Sequence, residues 1–595
     1  MRSIILSICA FVLTVQVSAR QDSPGSWLTY YELSKKQQTP RYDQTIAYCR
    51  RLARGSPWVY YTSFGVSPQG RDLPLVIVSR DRAFTPAGAH RTGKPIILIQ
   101  SGIHAGEIDG KDASLMLIRD MTITKTAEGL LDDAIVLFVP IFNVDGHERF
   151  GPYNRINQNG PKEMGWRVSA QNLNLNRDYM KADAPEMRAM LRLFTAWLPD
   201  LYIDCHVTDG IDFQYDVTYA TETGSNIDPA IARWITNQLV PGILPKIEAS
   251  GHKIFYYVFP REDRDISNGI NGGAATPRFS TGYAALQNRP SLLIETHMLK
   301  PYHTRVEATY AVLKAVLEVA NAQPRRLRSA VRHADSAATA SWRTPGATFP
   351  LSFDLSSKST PAEFLGIASH PVIGQISGQL YTEYTGEPTR IVLPFYDDRI
   401  VKDSVTIPFA YVVPPEWTAV REVLLAHGII VGRLAAPESL TVESYQFTGV
   451  KFRDRPYEGR QVATFTTVVL TERRLYPRGS LVIRTDQRTS KVAMGLLEPR
   501  GPDSFVSWGF FNAIFEQKEY TETYVMEKVG KKLFEEHPEL RSEFQEKIRS
   551  DSAFAAHPSA RINWVYQHSL WGDPWLNTYP VGRLMSPVEL KTMKR

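Results

Sequence analysis

Cysteine is almost missing from this sequence: 595 residues contain three, at positions 9, 49 and 205. So few exclude a disulfide framework, the device by which small exported domains make up for a thin core. One bridge between Cys49 and Cys205 stays open, but Cys205 lies in an apolar run and is expected to be a buried free thiol. Long apolar runs are missing as well. Beyond the first nineteen residues none approaches the ~20 residues of a membrane-crossing helix, so no stable membrane insertion is expected. Blocks of Lys or Arg are absent too. The formal charge of +6 is small for this length and the basic residues are dispersed, so no nucleic acid partner is indicated. There is no internal repeat and no low-complexity tract. What is present is 43% hydrophobic and 22% charged, an ordinary globular composition in a chain too long for one core.

The first nineteen residues read as a secretory signal. Arg2 gives a positive start, Ile4 to Val15 are mostly apolar, and Val17-Ser18-Ala19 fits a small-residue cleavage site. Ser7-Ile8 ahead of Cys9 is a poor lipoprotein signal. The expected location is therefore secreted or periplasmic after removal of residues 1–19.

Strands and helices alternate from there. Apolar runs at 74–79, 95–100, 134–142, 200–207 and 291–295 predict strands. Helical spacing predicts helices at 42–54, 111–121, 184–197, 227–248 and 304–320. Such alternation, with polar chemistry at strand ends, indicates an α/β domain with a mixed or parallel sheet. Residues 151–176 form a long polar stretch rich in Asn and Gly, and 269–281 read as a Gly-rich loop. Long ordered loops tend to be functional. Residues 324–341 read as a connector. From 344 to about 486 many short β-like runs follow, interrupted by one helix-then-strand unit at 416–434. A helical pattern at 521–549 and an aromatic tail complete the chain.

The chemistry begins at Ser101–Gly110, S-G-I-H-A-G-E-I-D-G. His104 and Glu107, three apart and set among small residues, can reach one divalent ion from a turn. Zn²⁺ takes nitrogen and oxygen ligands, and a catalytic site uses about three from protein with one position open. Many surface helices carry an H-x-x-E pair, so a third ligand and a base decide the matter. His206 ends the strand 200–207, and Glu295 ends the strand 291–295. A carboxylate directly after four apolar residues is costly to bury unless it is paired or chemically employed. Together these give His104, Glu107 and His206 for the metal, with Glu295 as base.

The same half resembles the zinc metallocarboxypeptidases of the carboxypeptidase A type, as a bacterial-like exported member with an extra C-terminal domain. The resemblance covers about residues 58–320. It rests on ordered pieces: G-R-D-L-P-L at 70–75, G-I-H-A-G-E, F-N-V-D-G at 142–146, Trp166-Arg167, L-N-L-N-R at 173–177, D-C-H at 204–206 and L-L-I-E-T at 292–296. It implies one zinc per chain, a peptide or peptide-like substrate, and a hydrolase that removes a C-terminal residue. It makes Glu295 the general base and acid for water whose pKa zinc lowers toward ~7. Arg167 would stabilise the oxyanion, and Asn176 and Arg177 would grip the terminal carboxylate.

Two positions depart from the family pattern. Asn174 stands where the family has an acid that orients the first zinc histidine, and a neutral acceptor raises ligand basicity less. The family's substrate tyrosine is not placed by spacing; Tyr283, in F-S-T-G-Y, is the candidate, and it can equally be a packed aromatic. Arg278 is open between an anion-selective pocket and a solvated loop. His147, His297 and His303 match no family role, and His427 reads as a helix-closing neighbour of Gly428. Trp508, Trp571 and Trp575 read as core or contact aromatics, with a carbohydrate-binding face left open.

The expected fold is α/β: a mixed-sheet carboxypeptidase-like domain, then a β-rich α+β C-terminal domain. The expected organisation is a signal peptide at 1–19, a catalytic domain at 20–322, a connector at 323–343 and a C-terminal domain of unassigned role at 344–595. The second enzymatic reading is a zinc deacylase of N-acyl amino acids on a related fold; the Asn-Arg and Trp-Arg pairs favour the peptidase. A binding-only pseudo-peptidase is opposed by the intact ligand and base set.

Overall fold

The computed structural model describes residues 27–262, 265–273, 275–587 and 593–594. The expected signal peptide lies outside them. Runs of aliphatic residues with no polar alternation can be stable as strands only when both faces are covered, and such runs make the central sheet. Its strands, in chain order, are β1 (Val59–Val66), β2 (Asp72–Val78), β3 (Ile96–Ser101), β4 (Ile135–Val139), β5 (Leu201–Val207), β6 (Val217–Ala220) and β7 (Ile254–Tyr256). A separate sheet takes β8 (Val258–Glu262) and β9 (Asp265–Gly272), and β10 (Ser291–Thr296) returns to the first. The order across the central sheet is β1-β2-β4-β3-β5-β10-β6-β7. β3, β4, β5 and β10 run parallel, and β1, β2 and β6 enter antiparallel, so the sheet is mixed.

Register places the chemistry. Ser101 pairs with Cys205, and His206 pairs with Glu295, on three adjacent parallel strands. The ends of β3, β5 and β10 thus open at one level of the sheet, where α/β folds bind ligands.

One sheet face is covered by the helices Asp109–Thr122, Tyr302–Ala322 and Pro324–Ala340. The stretch expected as a connector is therefore a helix, which buries Leu327, Val331, Ala334 and Ala338. Its four apolar side chains fall on one stripe, which low total hydrophobicity concealed. The other face is covered by the helix Pro185–Trp197 and by the C-terminal half. Leu98, Met187 and Tyr202 share one apolar cluster with Tyr411, Leu496 and Tyr579.

The C-terminal half carries two long antiparallel hairpins, Thr360–Ile373 with Leu380–Tyr396 and Glu438–Phe452 with Ala463–Tyr476. Much of each is polar on both faces, so the sequence shows only fragments of them. The first reaches the catalytic half directly, because Phe395 and Tyr396 pair with Ile270 and Asn271 of β9. Residues 269–272, expected as loop, are thereby strand. Gly269 is required there: its φ is +107° and a Cβ would lie 2.6 Å from Pro394 O. A helical layer follows, Thr523–Glu536, Pro538–Ser550 and Pro558–His568, around Met526, Phe554 and Trp564. No helix among the described residues is long and apolar enough to cross a membrane.

Candidate active site and metal centre

Beyond β3, Gly102 turns the chain with φ +68°, and Glu107 N donates to His104 O at 2.9 Å. The small residues of this motif are imposed by packing. A Cβ on Gly106 would sit 2.7 Å from Gly165 O, and one on Gly110 would sit 2.5 Å from Cys205 Cβ. The helix that follows is fixed at its start: Asp109 accepts from Thr296 Oγ1 at 2.7 Å and from Arg305 Nε at 2.9 Å. The residue after Glu295 thus locks the end of β10 to the His104–Glu107 turn. Two further motifs meet each other, as Arg71 Nη1 lies 2.7 Å from the buried Asp145.

His104, Glu107 and His206 are all buried, and their ligand atoms lie within 4.8 Å of one another. His104 Nδ1 is 3.0 Å from Glu107 Oε1, and His206 Nδ1 is 3.0 Å from Glu107 Oε2. Two atoms bound to one zinc at ~2 Å and a tetrahedral angle stand roughly 3.3 Å apart, so the spacing suits that ion. His104 Nδ1 makes no aligned hydrogen bond despite its short approach to the carboxylate; it points with its neighbours toward a common centre. Two imidazole nitrogens and a carboxylate oxygen, with room for water, fit Zn²⁺.

The second ring nitrogens are also held. His206 Nε2 lies 2.8 Å from Asp204 Oδ2. His104 Nε2 lies 3.1 Å from Asn174 Oδ1, so the neutral residue does occupy the orienting position. These bonds aim both Nδ1 atoms into the site.

Charge follows from burial and neighbours. Burial lowers the His104 imidazole to about 4. Burial opposes charge on Glu107 too, but His104, Arg155 and the histidine hydrogen bonds hold its carboxyl well below the usual range. For His206, burial is outweighed by Asp204 and Glu107, which raise it. Burial pushes Glu295 up to about 8, with repulsion from Glu107 and Asp204 opposing the pull of His206. Glu295 Oε2 is buried without a partner. A dication among these groups works against every one of these protons.

The site opens into a cavity of about 450 Å³. His104, Glu107, His206, Glu295, Arg167, Asn176 and Arg177 all line it. Arg167 Nη1 is 3.3 Å from Glu107 Oε1. Arg177 stacks over the Phe279 ring at 4.3 Å and donates to Asn176 O at 2.8 Å. Tyr283 is not brought to this cavity. It is fully buried, its hydroxyl taken by His427 Nδ1 at 3.0 Å and Gln287 Nε2 at 2.6 Å, because the helix Ser280–Leu286 turns it toward the shared core. The tyrosine on the cavity wall is Tyr257, whose hydroxyl is raised by burial and by Glu295 and Glu107. It stands between β7 and β8, two strands too irregular to show in the sequence.

Arg278 is tied to Asp503 through Nε at 2.6 Å and lies against Trp508, so it joins the two halves and does not line the cavity. Arg155 is a second residue the sequence does not reveal: its Nη2 is 2.7 Å from Glu107 Oε1. It lies in the 151–176 loop with no motif around it. Cys49 and Cys205 are both buried and free. His147 contacts Lys111 and Glu148, and His297 contacts Asp212. Trp508 is buried, whereas Trp571 and Trp575 are exposed.

A mixed α/β sheet that gathers two histidines, a glutamate and a second carboxylate at adjoining strand ends defines a metal-dependent hydrolase. Residues 45–243 match the sequence family described as zinc carboxypeptidase. The catalytic half therefore carries a zinc carboxypeptidase domain, which makes the protein a metallopeptidase. It is 25% identical over 490 residues to carboxypeptidase 2 of Trichophyton rubrum, spanning 79% of this chain and 84% of that protein. It is 24% identical over 492 residues to the probable carboxypeptidase 2 of Arthroderma benhamiae, spanning 78% and 85%. Among solved structures it is similar to the carboxypeptidase A of Helicoverpa armigera, at 17% identity, a TM-score of 0.36 and coverage of 50% and 75%. It is also similar to a metallo-carboxypeptidase of Pseudomonas aeruginosa, at 19% identity, a TM-score of 0.34 and coverage of 48% and 70%.

Proposed function

We propose that the chain is an exopeptidase that releases the C-terminal residue of a peptide, with one zinc held by His104, Glu107 and His206. The observation that carries this reading is the common cavity: the three donor atoms, Glu295 and the Asn176–Arg177 pair line one space of about 450 Å³. Zinc bound there supplies Lewis-acid polarisation and a water acidic enough to attack at neutral pH. Arg177, with Asn176 beside it, pairs with the free carboxylate and fixes which peptide bond reaches the centre. Glu295 Oε2, buried and unpartnered, takes the proton of the attacking water and passes it to the leaving amine. Arg167 donates to the oxygen of the scissile carbonyl as negative charge develops on it. Tyr257 closes the cavity side on which an aromatic hydroxyl can meet substrate. We assign residues 1–19 to an export signal, and 344–595 to a second domain packed onto the first.

An N-blocked dipeptide and an N-acyl amino acid, assayed side by side with the zinc-loaded protein, test the reading. Cleavage of the peptide alone is expected. Hydrolysis of the N-acyl amino acid alone would turn the assignment to a deacylase.

A further inference from the structure

The turn between the strands Glu438–Phe452 and Ala463–Tyr476 reaches back onto the catalytic half. Within it, Tyr457 and Arg460 exchange backbone hydrogen bonds at 2.9 and 3.0 Å, making a tight loop. Glu458 takes φ +50° and Gly459 φ +75°, the left-handed pair that a two-residue turn of this kind requires. What Glu458 gains is visible: its Oε2 accepts the backbone N–H of Asn174 at 2.9 Å.

Asn174 is a junction. Its Oδ1 accepts from His104 Nε2 at 3.1 Å and from Asn176 N at 3.0 Å, and its carbonyl accepts from Arg177 N at 2.9 Å. The segment that orients the first metal ligand therefore also carries the carboxylate clamp. The same turn grips this segment a second time, where Arg460 Nε meets Asp183 at 2.9 Å. Tyr457 completes the seat by stacking on the buried Trp508, 5.9 Å between centroids and 9° between planes.

We propose that this turn is a positioning element of the metal centre, with Glu458 acting through Asn174 on His104. The inference rests on the reading of His104 as a zinc ligand. Partners one shell out from a metal commonly change its affinity 10–100-fold, and a contact that fixes such a partner acts toward the lower end. The catalytic half thus has one histidine oriented from within its own strand, by Asp204, and the other oriented through Asn174 with help from a turn 284 residues beyond that asparagine.

The test is zinc retention by the full-length protein in competition with a chelator. Glu458→Ala is expected to weaken zinc about ten-fold, and Glu458→Gln, which keeps an acceptor for the Asn174 N–H, to stay within about two-fold of wild type. His104→Ala is the control and should lose tight zinc altogether. Wild-type retention by Glu458→Ala, with His104→Ala still losing the metal, overturns the positioning role. Tight zinc in His104→Ala overturns the ligand reading itself, and the inference with it. Melting curves of each variant separate loss of positioning from loss of fold. Should Glu458→Ala not fold, Glu458→Asp serves, since one methylene less leaves the carboxylate short of Asn174.

Discussion

Asp204 Oδ2 stands 2.8 Å from Nε2 of His206, two residues along the same strand. The matching nitrogen of His104 meets the amide oxygen of Asn174 at 3.1 Å. One histidine of the candidate site is thus backed by a carboxyl group and the other by an amide. Asp204→Asn is expected to weaken zinc by about 10–100-fold, and Asn174→Asp to tighten it by a smaller factor. Chelator competition measures both. Equal affinities in all three proteins would remove the orienting pairs from the metal's energetics.

Glu295→Gln should hold zinc and fold while losing about 10²–10⁴ of its turnover, the range of a general base. The amide fills the same buried space but cannot accept the proton. Turnover above about a tenth of wild type would release Glu295 from the role.

Arg177→Ala should abolish the preference for a free C-terminus. A hydrogen bond to a charged group contributes about 1.5–3 kcal/mol, so the variant should lose at least about ten-fold in kcat/KM on acid substrates and little on amidated ones. Amidation and the substitution remove the same contact and should not add. Equal cleavage of acid and amide by the wild type would show that Arg177 anchors no carboxylate.

Glu186 gives a pH prediction away from the metal. It is fully buried with neither carboxylate oxygen partnered, and burial, with Asp145 and Asp178 nearby, raises it from 4.5 to about 7. Between those values the folded chain binds a proton that the unfolded chain has released, so stability falls as pH rises through that window. Glu186→Gln should melt higher than wild type at pH 8 and close to it at pH 4. A difference of the same size at both pH values would mean that ionisation of Glu186 is not its source.

The catalytic half was largely legible because its strands carry no polar alternation and its chemistry falls at their ends. β3, β5 and β10 announce themselves as buried runs, and His104, His206 and Glu295 follow from where those runs stop. Tyr283 misled because a tyrosine in a polar context resembles a substrate contact; only the packing of Tyr179, Phe194 and His427 around it shows a core residue. Tyr257 and Arg155 were hidden for the opposite reason: short irregular strands and a motif-free loop place them by tertiary contact alone. The hairpin at 360–396 was seen only as fragments, and Glu458 reaches Asn174 across a sequence distance no local pattern spans.

The apolar cluster that joins Leu98 and Tyr202 to Leu496, Tyr579 and Val581 has a consequence for how the enzyme comes into being. The strands beneath the candidate site are made early in synthesis, whereas much of what covers one face of their sheet comes from the C-terminal half and is made later. Until those residues have been added, that face is covered chiefly by the helix Pro185–Trp197, and contacts so distant in sequence form slowly. A chain that stopped short of Leu496 would already contain His104, His206 and Glu295 and would still lack much of the apolar layer on which their sheet rests. Such a chain is expected to expose apolar surface and to be prone to aggregation.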